Sequence, residues 1–382
     1  MSILIRQLPV SLQDLSPELA HFCLNIERFL TQDLQVKLSG SRLLIAASAG
    51  MDSMALLMCL YILKNRWNFS LHTAHLNHHL REPAQREAAY VKDVCDQLQV
   101  PCAMGNSHVH IYAQKFHLGL EEAARILRYR FLFGVRKKWK ADFLLTAHHL
   151  NDLAEDVLLR QIRGTGWPAL GGMAAWEPEH CLLRPFLLTP KKHIHTFLSQ
   201  VGMTWFEDAS NQDLAFQRNR IRHTVLPLFL EENPNFLEQI KNIWQQARTD
   251  TDYWSMQLKK LQEQEHHHEN TIELKNTDLL PLHRAVRIRW YKSILQRLGP
   301  GQVRAKTLYL LDQVWSESRI GKALQFPGDK IVYVKQNRLC FHTNARKRDK
   351  DSGRRAYAKN DLYYCLLCCV LICQPPGPGK SF

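Results

Sequence analysis

Apolar residues recur at helical spacing over residues 16–31, where Leu19, Phe22, Cys23, Ile26, Phe29 and Leu30 share one face, and then run almost unbroken from Leu43 to Ala47. The first pattern predicts an amphipathic helix and the second a buried strand. A turn of small and polar residues, Ser48 to Ser53, follows, and Met54 to Lys64 is apolar enough for a helix packed on a sheet. The alternation continues with a strand at Ser70–His75, a helix at Pro83–Leu98 and a strand around Cys102–Val109. Leu120, Ala124, Leu127, Phe131 and Val135 then mark a helical stripe, Asp142–Thr146 a further strand and Asp152–Ile162 a further helix. Strands alternating with helices imply an α/β fold with a doubly wound parallel sheet.

The pattern changes after Pro227. Asn233 and Pro234 introduce a long Gln-, Glu- and Lys-rich stretch of helical period reaching about His266, and residues 278–345 are compact in composition. Three segments are therefore expected: a first domain over 1–228, a second, smaller and mainly helical domain over 229–345, and a tail over 346–382. The tail is basic from Arg346 to Arg355, then apolar from Leu362 to Cys373. That apolar run is short of the roughly 20 residues a membrane-spanning helix needs, so no membrane association is expected.

At 382 residues, 45% of them hydrophobic and 23% charged, the chain reads as a folded protein of two or three domains and not as a disordered or disulfide-stapled one. The N-terminus lacks the basic and apolar regions of a secretion signal, and ten scattered cysteines make no disulfide framework, which points to the cytoplasm. Fifty Lys and Arg against 36 Asp and Glu give a net charge of +14, which favours a polyanionic partner such as nucleic acid. One basic stretch, Arg284, Arg287, Arg289, Lys292 and Arg297, is interleaved with Trp290 and Tyr291 and is a candidate nucleic-acid contact.

The turn Ser48, Ala49, Gly50, Met51, Asp52, Ser53 joins the end of a buried strand to the start of a helix, where open N–H groups and the helix dipole favour an anion. Small residues let a phosphate approach the backbone, the serine hydroxyls can donate to it, and Asp52 can hold Mg²⁺. This turn resembles the SGGxDS signature of PP-loop ATP pyrophosphatases. Further motifs follow in order: His75 to Arg81; Glu121, Glu122, Ala123, Ala124, Arg125 with Arg128 and Tyr129; Thr146 to Glu155 with Arg160, Arg163, Gly164, Thr165 and Gly166. A last group comprises Asp208, Ser210, Asn211, Asp213, Phe216, Arg218, Asn219, Arg220 and Arg222.

The ordered set resembles the tRNA(Ile)-lysidine synthase family over roughly residues 20–228. The resemblance implies that ATP adenylates the C2 oxygen of the wobble cytidine in the CAU anticodon of an isoleucine tRNA. The amine of free L-lysine then displaces AMP to give lysidine. It implies ATP-binding at Ser48, Ala49, Gly50, Met51, Asp52 and Ser53, catalytic roles for Asp52 and Arg125, Mg²⁺ at Asp52, and lysine-binding at Asp152 and Glu155. Arg163, Arg218, Arg220 and Arg222 are the expected tRNA contacts, and a homodimer is left open. Splitting one difficult substitution into two steps through a good leaving group is chemically sound, and Asp152 and Glu155, three apart, are neighbours on one helix face.

The sequence also departs from the family. Ala49 replaces a glycine, and its Cβ would oppose a positive φ and crowd a phosphate, so weakened ATP binding is expected. Asn151 replaces the first of two adjacent acids. Residues 346–382 are too few for the further C-terminal tRNA-gripping domain that many members carry, so that domain is expected to be absent. Cys365 and Cys368 form a C-x-x-C without a second pair, and His266, His267 and His268 read as polar surface. Alternatives are a PP-loop tRNA cytidine thiolase, or a tRNA-binding relative without catalysis.

Overall fold

A computed structural model describes residues 8–78, 84–207 and 213–343. The expectations placed on His79 to Arg81, on Asp208, Ser210 and Asn211, and on the tail lie outside those residues. Two compact units divide between Gln245 and Gln246, the second also taking Gly166–Pro168. The division falls inside one long helix, α10 (Phe236–Gln262).

The first unit is built on a six-stranded sheet of β1 (Arg42–Ala46), β2 (Ser70–Asn77), β3 (Cys102–Asn106), β4 (Phe143–Leu145), β5 (Trp176–Glu177) and β6 (Leu182–Leu183), in the order β3-β2-β1-β4-β6-β5. All neighbouring pairs are parallel except β5 with β6. Successive residues of β1 face opposite sides. Leu43 and Ile45 enter a core shared with α1 (Pro17–Arg28), α2 (Met51–Trp67), α6 (Leu150–Ile162) and α7 (Lys191–Val201), while Leu44 joins Leu144 against α5 (Leu120–Lys138). Helices thus cover both faces, as the uninterrupted apolar strand requires. The helix α3 (Ala84–Gln97) turns Tyr90, Val91, Val94 and Cys95 inward. Two helices escape the sequence pattern: α4 (Val109–Phe116), which begins where the expected strand ends, and α7, closed by Gly202 at φ 80°.

Sheet order places the functional region. From β1 the chain runs to β2 on one side, and β4 flanks β1 on the other, so β1 and β4 border the point where the winding reverses. Loops at the C-terminal ends of two such strands open a crevice between them. The loop after β1 is the Ser48–Ser53 turn, and the loop after β4 holds His148 and His149.

The second unit contains helices and a five-stranded antiparallel sheet: β7 (His266–His268), β8 (Thr271–Lys275), β9 (Ala323–Phe326), β10 (Lys330–Lys335) and β11 (Arg338–Thr343), ordered β7-β8-β11-β10-β9. A mainly helical reading missed this sheet because its strands are short and joined by tight turns. Its core pairs Leu274, Val332, Leu339 and Phe341 with α12 (Arg284–Arg297) and α13 (Ala305–Ser316). The His266–His268 run is the exposed edge strand.

The basic stretch of α12 is largely structural. Trp290 and Tyr291 are fully buried, because helical period puts them with Ile294 and Leu295 on the inner face. Arg287 pairs with the buried Asp312 at 2.8 Å, Arg284 reaches the same carboxylate at 3.1 Å, Arg297 binds Glu265, and Arg289 lies over the Trp254 ring. Lys330, completely buried, donates to the carbonyls of Leu295 and Gly299 at 2.9 and 3.0 Å and so closes the end of α12. Among the described residues no helix is long and apolar enough to cross a membrane.

Candidate active site

The Ser48–Ser53 turn is held by its own hydroxyls. The Ser48 N–H donates to Ser53 Oγ at 2.9 Å, the Gly50 N–H donates to Ser48 Oγ at 3.3 Å, and Ser53 Oγ donates back to the Gly50 carbonyl at 3.0 Å. Gly50 is the N-cap of α2, and the first helical bond is from the Met54 N–H to the Gly50 carbonyl. The N–H groups of Met51, Asp52 and Ser53 therefore project from the helix end, as an anion site requires.

Ala49 does not strain this turn. It lies outside the left-handed region, as does Gly50 at φ −77°, so the backbone makes no demand that only glycine meets. The Ala49 methyl is 2% exposed and belongs to the hydrophobic core, and its carbonyl accepts from the Phe206 N–H. The conformational reason for expecting weak ATP binding is thereby removed.

Asp52 sits in the first turn of α2. Its Oδ1 is buried with no hydrogen-bond partner among the described residues, and its Oδ2 lies 3.6 Å from His149 Nε2. A carboxylate oxygen left bare at the mouth of a phosphate turn suits a hard cation with oxygen ligands. Among the described residues no group of three or more His, Cys, Asp or Glu forms a cage for a metal. An ion there would take one protein carboxylate and fill its remaining positions from phosphate and water, the usual pattern for Mg²⁺.

Across the crevice, His149 caps α6. Its backbone N–H donates to Asp152 Oδ2 at 3.0 Å and its Nδ1 accepts from the Asp152 N–H at 3.2 Å, a reciprocal capping box. Burial pushes the imidazole pKa down, and Asp152 and Asp52 more than reverse this, leaving it raised. His148 differs: burial holds it down to about 3, with Arg184, Arg218 and Arg125 adding to the effect, and its Nδ1 meets Thr146 Oγ1 at 2.9 Å.

Asp152 and Glu155, 8% and 1% exposed, are not solvated acids. Arg218 Nε donates to Glu155 Oε2 at 2.8 Å and its Nη2 to Asp152 Oδ1 at 3.0 Å. Arg222 Nε donates to Glu155 Oε1 at 2.6 Å, and its Nη2 reaches Asp152 Oδ1 and Glu155 Oε2, both at 3.1 Å. The two arginines stand one turn apart, Arg218 on α8 (Gln217–Arg220) and Arg222 just beyond it. Every carboxylate oxygen of the pair thus has a donor within the chain. Burial alone would raise the Asp152 pKa, but His149 and Arg218 hold it well below the ordinary carboxylate range.

The other expected residues are more open. Arg125 is exposed on α5 and stacks over Tyr129, its guanidinium carbon 5.1 Å from the ring centre. Arg163 is exposed at the end of α6, and Arg220 is exposed with Nη1 donating to the carbonyls of Leu214 and Ala215 at 2.8 Å. The structure therefore separates the four expected tRNA arginines: Arg163 and Arg220 face solvent, whereas Arg218 and Arg222 are committed to Asp152 and Glu155. Sequence reasoning left His149 without a role. Its signal was positional, a polar residue in the short loop after a strand and three before an aspartate.

The chain is similar to known proteins over most of its length. A family profile described as a PP-loop domain matches residues 21–229. The chain is 39% identical over 78% of its length to a tRNA(Ile)-lysidine synthase of Nitratidesulfovibrio vulgaris, spanning 90% of that protein. It is 30% identical over 79% of its length to the enzyme of that name from Clostridioides difficile, and 36% identical over 58% to that of Thermosipho africanus. It spans 66% and 52% of those two longer chains. A solved U34-tRNA thiolase, NcsA of Methanococcus maripaludis, superposes with a TM-score of 0.50 at 13% identity, covering 60% of this chain and 78% of that one, a likeness of fold.

Proposed function

The chain belongs to the tRNA(Ile)-lysidine synthase family, built on a PP-loop domain, and from that premise we propose that it ligates L-lysine to the wobble cytidine of an isoleucine tRNA bearing a CAU anticodon. In the first half-reaction the cytidine C2 oxygen attacks the α-phosphate of ATP and pyrophosphate leaves. In the second, the lysine amine attacks C2, AMP departs with the oxygen, and the amine gives up its proton.

The observation that carries this reading is the juxtaposition, across the β1–β4 crevice, of a phosphate-type turn with a buried carboxylate pair, linked by His149. The turn N–H groups would bind the phosphates, and Asp52 would hold Mg²⁺ through its unpartnered Oδ1. Bound there, the ion would neutralise charge on the departing pyrophosphate. Exposed Arg125 would add a positive charge on the same side. Asp152 and Glu155 would bind an ammonium group of lysine by exchange: each cation that enters replaces an arginine contact and frees a guanidinium for the lysine carboxylate or a phosphate. Arg163 and Arg220, with the overall basic charge, would hold the tRNA backbone, with affinity falling steeply as salt rises. A cytoplasmic site of action follows from the tRNA substrate.

A reaction that carries its sulfur on the protein would need a cysteine at the crevice. Among the described residues of the first unit, Cys23, Cys59 and Cys95 are sealed in the core, while Cys102 and Cys181 stand at the starts of β3 and β6, the opposite end of the sheet. The test is AMP and pyrophosphate formation by the purified chain with ATP, Mg²⁺, lysine and tRNA. Release should require the isoleucine tRNA and fail with the methionine tRNA that shares its anticodon. Release that depends on sulfide and ignores lysine would overturn the proposal.

A further inference from the structure

His149 occupies the joint between the two halves of the crevice. Its backbone and Nδ1 are bound to Asp152 at the start of α6, and its Nε2 faces Asp52 at the start of α2. The ring is 3% exposed, so neither contact is exchanged with bulk water. Because Nδ1 accepts the Asp152 N–H, the neutral ring carries its proton on Nε2, the atom that faces the Asp52 carboxylate. At 3.6 Å this contact is longer than a hydrogen bond and acts as an attraction between N–H and carboxylate. It holds Oδ2, which leaves Oδ1 bare and buried at the loop.

We propose that His149 is a positioning residue that fixes the rotation of the Asp52 carboxylate, presenting Oδ1 to the nucleotide's cation, while its other face anchors the helix that carries Asp152 and Glu155. The assignment rests on the functional reading above. It gives the chain a mechanical link between the nucleotide half and the amino-acid half of the site, made by one side chain from the loop after β4. Asp52 needs such a link, because among the described residues its Oδ1 has no hydrogen-bond partner to orient the carboxylate.

Two substitutions separate this role from simple helix capping. In His149→Asn the amide oxygen stands near the position of Nδ1 and still caps α6, but no atom reaches Asp52. In His149→Gln the amide nitrogen stands near the position of Nε2 and faces Asp52, but the cap is lost. Calorimetric titration with ATP is to be run with and without Mg²⁺, alongside thermal melting and tRNA binding. The expected result is that His149→Asn melts close to wild type and binds tRNA normally, yet loses about tenfold in Mg²⁺-dependent ATP affinity, the effect of one contact to a charged group. His149→Gln should melt lower and retain most of that affinity. In turnover, His149→Asn should raise the KM for ATP more than that for lysine.

Full ATP affinity in His149→Asn, or equal losses in both variants, would overturn the positioning role and leave the functional reading intact. Failure of the wild-type chain to bind ATP with Mg²⁺ would overturn the functional reading itself, and this assignment with it.

Discussion

Ala49→Gly restores the glycine of the family signature, and its consequences follow from how the turn is built. The backbone at position 49 lies outside the left-handed region, so glycine relieves no strain there. The substitution removes a methyl group that is 2% exposed within the core. Burying one such carbon stabilises by about 0.8 kcal/mol. Glycine also widens the unfolded ensemble by roughly 0.4–1 kcal/mol. Together the loss is about 1–2 kcal/mol, which in a folding unit of this size lowers the melting temperature by roughly 3–6 °C. The hydroxyl bonds from Ser48 and Ser53 that shape the turn involve no atom of the Ala49 side chain. ATP affinity should therefore be unchanged. Melting followed by intrinsic fluorescence, with ATP titrated calorimetrically into both proteins, checks the two numbers. An unchanged melting temperature with severalfold tighter ATP binding would refute the reasoning and show that the Ala49 methyl crowds the nucleotide.

Asp52→Asn should abolish Mg²⁺-stimulated ATP binding while shifting urea stability by no more than about 0.5 kcal/mol, since Oδ1 supports nothing in the fold. Glu155→Ala strips both guanidiniums of a buried partner and should cost about 3 kcal/mol, the lower end for a broken buried pair because the arginine side chains are 30% and 26% exposed; urea midpoints measure it. His78 is held down to about 4 by burial, Arg128 and His75, so it is neutral in the fold at neutral pH while the unfolded chain protonates near 6.5. Its contribution of about 3 kcal/mol is present above pH 6.5 and lost as pH falls towards 4, and His78→Gln should flatten that part of the stability profile. Arg163→Ala should weaken tRNA binding and reduce its salt slope, whereas Arg287→Ala should lower stability through Asp312; filter binding and melting separate the two effects.

How far the sequence speaks depends on what each residue does. The first unit was legible because its strands are continuous apolar runs and its helices carry long stripes: Leu43–Ala47 and the Leu120–Val135 stripe both match observed elements. The antiparallel sheet of the second unit was not legible. Its strands are three to six residues long, and β7 is three consecutive exposed histidines. The phosphate-type turn could be proposed from its place between a strand and a helix, whereas spacing made Asp152 and Glu155 no more than neighbours on one helix face and only the family resemblance singled them out. The partners of that pair could not, since Arg218 and Arg222 arrive from 63 to 70 positions away. The expected tRNA role of both arginines took no account of those carboxylates, and the α12 stretch was read as a nucleic-acid contact without Asp312 and Glu265, which supply internal partners. His149 shows the same limit from the other side, since its contact with Asp52 exists only because β1 and β4 are neighbours in the sheet.

The most direct test is mass spectrometry of the nucleosides released from CAU-anticodon isoleucine tRNA after incubation with the protein, ATP, Mg²⁺ and isotopically labelled lysine. The account predicts a cytidine carrying one labelled lysine, confined to the wobble position and absent when Asp52→Asn replaces the wild type. Unmodified cytidine from a tRNA that the wild-type protein binds, or a thiolated base in its place, would contradict it.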